Sequence, residues 1–239
     1  SNRHSYYSER IAELLNRLED GGDDAEELEE DELIALLKLA GQAVPEWLVE
    51  EIVGRGETMV EPLANLLLRT DLFEHGDDRT WWGPIHAIPL LGAIGHAEAA
   101  PALLEALRQD RYQDWLTELI PKSLGRLGPD AIPAIVDFVT ERYPNPIYRG
   151  GTAGRSLIVL GRENPEVRAE IARHFVRWFA ELDPADPVTA QLASASLPID
   201  DPDVREAADR AIAHPRLLGG IVSEQSAERV RATYEPWVD

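Results

Sequence analysis

The sequence predicts an all-α fold: a right-handed α-solenoid of about five helical hairpins, preceded by an irregular N-terminal helical cap. Three observations support this prediction. Strand signals are nearly absent, helical patterns alternate with Gly and Pro, and one segment recurs at a constant interval, with copies that begin at 82, 115 and 148. We expect residues 1–44 to form the cap with an acidic linker and residues 45–239 to form the repeats.

The apolar periodicity predicts a series of helices with short connections, which are typical of antiparallel neighbours. The expected helices are 7–19, 29–40, 45–54, 57–70, 81–94, 98–109, 113–127, 130–142, 147–161, 165–182, 186–197, 201–213 and 224–234.

The repeat is clearest where WGPIHAIPLLGAIG (82–95) aligns with WLTELIPKSLGRLG (115–128). The same interval taken once more reaches YRGGTAGRSLIVLG (148–161), and WLVEEIVGRGE (47–57) is a looser earlier copy. Each first helix is followed by a second apolar helix, so the unit is a helical hairpin, and a period in the low thirties built from helix pairs is typical of a solenoid. The recurring residues include Trp82 and Trp115, Leu91 and Leu124, Gly92 and Gly125, and Gly95 and Gly128.

The recurring glycines have predicted structural roles. Gly92 and Gly125 each cost about 1 kcal/mol of helix propensity relative to Ala, and close helix–helix approach would offset this cost. Gly95, Gly128 and Gly161 are expected to end the first helices in a left-handed conformation.

LLGAIGHAEAAPALLEAL (90–107) and SLGRLGPDAIPAIVDFV (123–139) resemble the short bacterial HEAT-like repeats, also called bilin-lyase-type HEAT repeats. Both carry Leu-Gly-x-Ile/Leu-Gly, a turn, and a second helix that begins near Pro101 or Pro133. Such a proline is tolerated in the first turn of a helix, where no N–H is needed. The resemblance implies stacked hairpins with a curved binding surface, and it implies no activity by itself.

The chain departs from this family at the Arg that usually lies early in the first helix. Pro84, Thr117 and Gly150 occupy the matching positions. Val-Arg pairs occur instead at 167–168 and 204–205, which leaves open which helix of each C-terminal hairpin they begin.

Charge and composition narrow the classes of partner. The net charge is −21, and residues 1–61 carry 17 acidic but only 5 basic residues, so we expect repulsion of nucleic acids. The sequence contains no Cys. It also has no apolar run long enough for a membrane span and no apolar signal segment near the N-terminus, so we expect a cytoplasmic protein. The acidic stretch 19–32 lacks the ligand order of a calcium loop, and we interpret it as a solvated linker.

The histidines do not form a recurring set of metal ligands. Deoxyhypusine hydroxylases, which are HEAT-repeat proteins, bind two irons through His-Glu pairs. Here Leu119 and Pro129 occupy the positions of the next repeat that match His86 and His96. We therefore expect neither a metal nor a cofactor, with His86 as a helix residue and His96 as a turn residue.

Two polar segments allow both a binding and a structural interpretation. EHGDDRT (74–80) contains Glu74, His75, Asp77 and Asp78, which could hold a divalent cation or a substrate, but a polar inter-repeat insertion explains it too and is preferred. YRGGTAGRS (148–156) could cradle a phosphate, yet it lacks P-loop spacing. We interpret it as the start of a helix at which two repeats approach closely.

The aromatic series Trp47, Trp82, Trp115 and Tyr148 could line a peptide groove, but its recurrence favours a repeated packing position. Trp81 lies outside this series and is the aromatic residue most suited to partner contact.

The sequence predicts a non-catalytic scaffold that binds a protein or peptide on its concave face. Glu105 and Asp137 lie at nearly matching places on second helices, which predicts an acidic surface for a basic partner. The candidate partner-binding residues are Trp81, Trp82, Glu105 and Asp137. The alternatives are an enzyme or enzyme accessory of the bilin-lyase or DNA-glycosylase type, and a protein that binds a metal or small molecule through the loop 74–82.

Overall fold

A computed structural model describes residues 12–19, 25–72, 76–109, 113–141, 149–217 and 228. Within these ranges the chain forms α-helices joined by short 3-10 turns, with no β-strand, which confirms the all-α helical-repeat class. The chain divides into two compact units, residues 1–106 and residues 107–239. The proposed division of the chain after residue 44 stays a prediction.

The α-helices follow the predicted order. Residues 12–19 are helical. The labelled helices are α1 (Glu30–Leu39), α2 (Glu46–Gly54), α3 (Val60–Leu67), α4 (Trp82–Ile94), α5 (Ala100–Gln109), α6 (Gln113–Gly125), α7 (Ile132–Thr140), α8 (Arg149–Glu163), α9 (Arg168–Glu181), α10 (Pro187–Ser196) and α11 (Pro202–Ile212).

The ends of these labelled helices lie within three residues of the predicted ends. A 3-10 turn precedes α3, α5, α7 and α9, the second helices of their hairpins. Pro101 and Pro133 are the second residues of α5 and α7, as expected for a proline in the first turn. Most of the predicted helix 224–234, and residues 7–11 of the first one, lie outside the described residues.

In the first unit, α4 packs against α1, α2 and α3. The helix α1 begins in the acidic stretch, and its first turn contains Glu30, Asp31 and Glu32, where the helix dipole favours carboxylates. Ala25 and Leu28 are buried, so the interpretation of 19–32 as a solvated linker is wrong for this part of it. Apolar side chains within the acidic stretch join the core.

The helix α8 lies at the centre of the second unit and contacts α6, α7, α9 and α10. Its glycines allow this close packing. A β-carbon at Gly150 would lie 3.1 Å from Val188, and β-carbons at Gly151 and Gly154 would overlap Gln191 and Leu192. Residues 149–156 therefore form the start of a helix at a point where two repeats approach closely, as predicted, while residue 148 lies outside the described residues.

The glycines that were expected to end first helices differ among themselves. Gly95 has φ 72° and ψ 25° and ends α4 in the left-handed conformation. Gly128 also has positive φ, 85°, but with ψ 176° it begins the next 3-10 turn. The prediction for Gly161 is wrong, because α8 continues through it to Glu163.

Side chains end α8 where a left-handed glycine was expected. Asn164 Nδ2 donates to the carbonyl oxygen of Leu160 at 3.0 Å, and Arg168 Nε donates to that of Gly161 at 2.8 Å. The Arg168 bond satisfies a carbonyl group that has no partner within the helix, because Pro165 has no N–H. The carbonyl of Leu160, in contrast, also accepts from the N–H of Asn164 at 2.9 Å. Arg168 is also the first residue of α9, so the Val-Arg pair 167–168 begins the second helix of its hairpin.

Candidate functional site

The predicted aromatic residues lie together at the start of α4. The rings of Trp81 and Trp82 have centroids 4.6 Å apart at an interplanar angle of 41°, and both side chains are half-buried. Trp82 in turn stacks on His86, with centroids 6.0 Å apart. Trp47 is also half-buried in α2, while the side chains of Trp115 and Tyr148 lie outside the described residues.

His86 fixes the position of this aromatic stack. Its Nε2 lies 2.7 Å from the carbonyl oxygen of Gly41, and since a carbonyl can only accept, Nε2 is the protonated nitrogen. Burial lowers the pKa of His86, and the hydrogen bond to Gly41 opposes this shift. His86 is thus a helix residue with a structural partner, as expected, and His96 begins a 3-10 turn by accepting from the N–H of Glu98.

In the polar loop before α4, Asp77 stabilises a turn. Asp77 Oδ1 accepts from the backbone N–H groups of Arg79 at 3.1 Å and Thr80 at 2.8 Å, and Asp77 N donates to Thr80 Oγ1. The hydrogen bonds from Thr80 lower the pKa of Asp77. Glu74 and His75 lie outside the described residues. Among the residues that are described, no three or more metal-ligating side chains come together.

The predicted acidic positions fall in different units. Glu105, half-buried, lies on α5 in the first unit, and Asp137, exposed, lies on α7 in the second. Both helices are second helices, as the sequence predicted. The structure thus brings Trp81 and Trp82 together, and the role of all four residues in partner binding stays a prediction.

The second unit contains a groove that the sequence did not predict. It has a volume of about 600 Å³ and is lined by residues of α6, α8 and α10, which are the first helices of their hairpins, and by Pro198 just beyond α10. Its apolar lining includes Pro121, Ile158 and Val159, and its charged lining consists of Glu118, Lys122, Arg155 and Arg162.

The cations of this groove are exposed and are not used in the packing of the unit. Lys122, Arg155 and Arg162 form no ion pair within the described part of the chain. Lys122 and Arg155 are separated by the same interval as Leu124 and Leu157, so they hold equivalent positions in successive repeats. That spacing was the sequence signal for the groove. The Leu, Gly and aromatic positions that define the repeat do not include it.

Comparison with known proteins identifies the repeat. Residues 85–109, which span most of α4 and all of α5, match the model of the PBS lyase HEAT-like repeat. This chain contains a HEAT-like repeat. No curated protein matches the chain significantly. No solved structure does so either. In the described part of this HEAT-like chain, no helix is both long and apolar enough to cross a bilayer.

Proposed function

We propose that this HEAT-like chain is a non-catalytic scaffold that binds a protein or peptide partner. The observation that supports the proposal is the groove along α6, α8 and α10, since three successive hairpins contribute to it side chains that the packing does not use. Stacked repeats present equivalent positions side by side, and binding surfaces of repeat proteins are built in this way. Cytoplasm is the proposed compartment.

The residues that the sequence singled out are further candidate contacts within this proposal, with Trp81, Trp82 and Glu105 in the first unit and Asp137 in the second. The Trp81 ring packs against the tilted Trp82 ring and stays partly exposed, and partly exposed tryptophans of this kind dominate binding hot spots. Glu105 and Asp137 would favour a basic segment of a partner. The enzyme and small-molecule alternatives stay hypotheses, because a repeat fold specifies no chemistry.

Affinity capture of partners from the native host, quantified by mass spectrometry, tests the proposal. The full chain is compared with a groove variant (Lys122→Glu with Arg155→Glu), an aromatic variant (Trp81→Ala) and an acidic-residue variant (Glu105→Lys with Asp137→Lys). Arg173→Glu with Arg205→Glu is the control for the groove variant. It makes the same charge change at exposed positions on the second helices α9 and α11.

We expect at least one protein to be captured by the wild type and the control and lost from the groove variant. Loss of a captured protein from the aromatic or the acidic-residue variant would show that the substituted residues contribute to partner binding. If all variants that fold like the wild type by circular dichroism capture the same proteins, the proposal is wrong.

A further inference from the structure

We propose that the groove lined by Lys122, Arg155 and Arg162 binds an acidic segment of the partner protein. Two carboxylates of that segment would meet the cations, and one apolar side chain between them would rest on the groove lining. The inference depends on the proposed scaffold function and adds the chemical class of the ligand. An acidic ligand for this groove differs from the basic partner that the net charge of the whole chain would favour by itself.

Three cations that line one groove without an ion pair among the described residues are not expected by chance in a chain whose acidic residues outnumber basic ones by 44 to 23. Nearby cations do pair with carboxylates, as Arg126 does with Glu163 at 3.7 Å. Lys122 is one turn after Glu118 on α6, yet no ion pair forms between them. Arg173 and Arg205 are also without an ion pair in the described residues, but they lie on different helices away from the groove.

The positions on α8 define the spacing of the ligand. Arg155, Ile158 and Arg162 are three and then four residues apart, so they follow one face of the helix. The rise between the two arginine Cα atoms is about 10 Å for seven residues. In an extended segment alternate side chains share a face, so carboxylates four residues apart lie on one face about 13 Å from each other, with the residue midway between them on that face too. The flexible arginine side chains can cover the difference of about 3 Å, so both carboxylates can reach Arg155 and Arg162 while an apolar residue between them meets the groove lining.

The walls of the groove favour a peptide over a nucleic acid. Ile158 and Val159 on α8 and Pro121 on α6 line the groove, and of these three apolar side chains the half-buried Val159 is the most open to a partner side chain. A polyphosphate backbone would instead require a longer row of cations, and the net charge of −21 would repel it at long range. Lys122 lies on the neighbouring helix, one repeat before Arg155, and offers a third contact to the acidic segment.

Selection from a display library of random dodecapeptides tests the proposal with the full-length chain. Wild type is compared with Arg155→Glu/Arg162→Glu and with the control Arg173→Glu/Arg205→Glu, which makes the same charge change. Arg155→Gln/Arg162→Gln provides a milder groove variant. Fluorescence anisotropy then measures the dissociation constants of selected peptides, of their Asn/Gln analogues and of a single-stranded DNA oligonucleotide of matched charge.

We expect peptides with two carboxylates around an apolar residue to be enriched on the wild type and the control. Their affinity should fall about tenfold in the glutamate variant, less in the glutamine variant, and also with added salt. Enrichment of basic or uncharged peptides in the groove would overturn this inference, and so would tighter binding of the oligonucleotide than of the selected peptides. Either result would leave the scaffold proposal standing. If neither peptides nor captured proteins depend on the groove, this inference is wrong, and the scaffold proposal is wrong as well only if the aromatic and acidic-residue variants also capture the same proteins as the wild type.

Discussion

Gly125, the last residue of α6, faces Val159 of α8 so closely that a β-carbon on Gly125 would overlap the Val159 side chain. The same atom would also lie 3.0 Å from the carbonyl oxygen of Ser156. We expect Gly125→Ala to lower the free energy of unfolding by about 1–2 kcal/mol, because overpacking of about 1–3 kcal/mol outweighs the gain in helix propensity. Calorimetric melting measures the effect.

Gly54→Ala is the matched control. Gly54 is also the last residue of its helix, α2, and nothing lies within 4 Å of a β-carbon built there. This substitution should therefore be neutral or stabilise the protein by up to about 1 kcal/mol. Equal melting temperatures for Gly125→Ala and the wild type would show that α6 and α8 can separate without cost.

His86 should titrate below its ordinary value because burial disfavours the imidazolium form. The unfolded chain binds this proton more readily than the folded one. The stability due to neutral His86 is therefore present above pH about 6.5 and is lost as the pH falls towards the folded-state pKa. NMR titration of the His86 ring should give a pKa below 6.5, and a value at or above 6.5 would contradict its burial.

A variant without the imidazole separates the contribution of His86 to the pH dependence of stability from that of the other titratable groups. His86→Gln should reduce the loss of stability between pH about 7.5 and about 5.5, measured by urea unfolding. Burial, assisted by Arg177, also lowers the pKa of His174, with Glu170 opposing, so part of the pH dependence should remain.

Arg108 and Glu141 form an ion pair of 2.7 Å within the second unit, and the Arg108 guanidinium lies 5.2 Å from the centre of the Phe138 ring. Both charged side chains are partly exposed, so the interaction is screened. A double-mutant cycle with Arg108→Gln and Glu141→Gln should give a coupling energy of about 0.5–1 kcal/mol, reduced by salt. A coupling that does not change with salt would indicate packing rather than charge.

Asp201 caps the N-terminus of α11, where its Oδ1 accepts from the N–H groups of Asp203 and Val204, both at 3.0 Å. Asp201→Ala should therefore cost about 0.5–2 kcal/mol. The neighbouring Asp200 is exposed and caps no helix, so Asp200→Ala should change the unfolding free energy by less than about 0.5 kcal/mol. Equal effects in thermal melts would mean that the capping bonds do not contribute.

The sequence predicted the helices well because apolar spacing and Gly/Pro punctuation are local signals. Leu91 and Leu124, matched by the repeat interval, are both fully buried. Gly161 matched the same pattern, but its role depends on the side chains of Asn164 and Arg168, which lie outside the repeated motif. The groove was not predictable in the same way, because its existence depends on which faces of α6, α8 and α10 remain open after packing.

The glycines of α8 limit how far the hairpins of this chain are interchangeable modules. Gly150, Gly151 and Gly154 fit against Val188, Gln191 and Leu192 of α10. The positions one repeat earlier hold Thr117, Glu118 and Pro121. A duplicated α6–α7 hairpin in the place of α8–α9 would therefore press bulkier side chains against α10. Extending or shortening this protein by whole repeats requires its junctions to be redesigned, although the repeat period itself is regular.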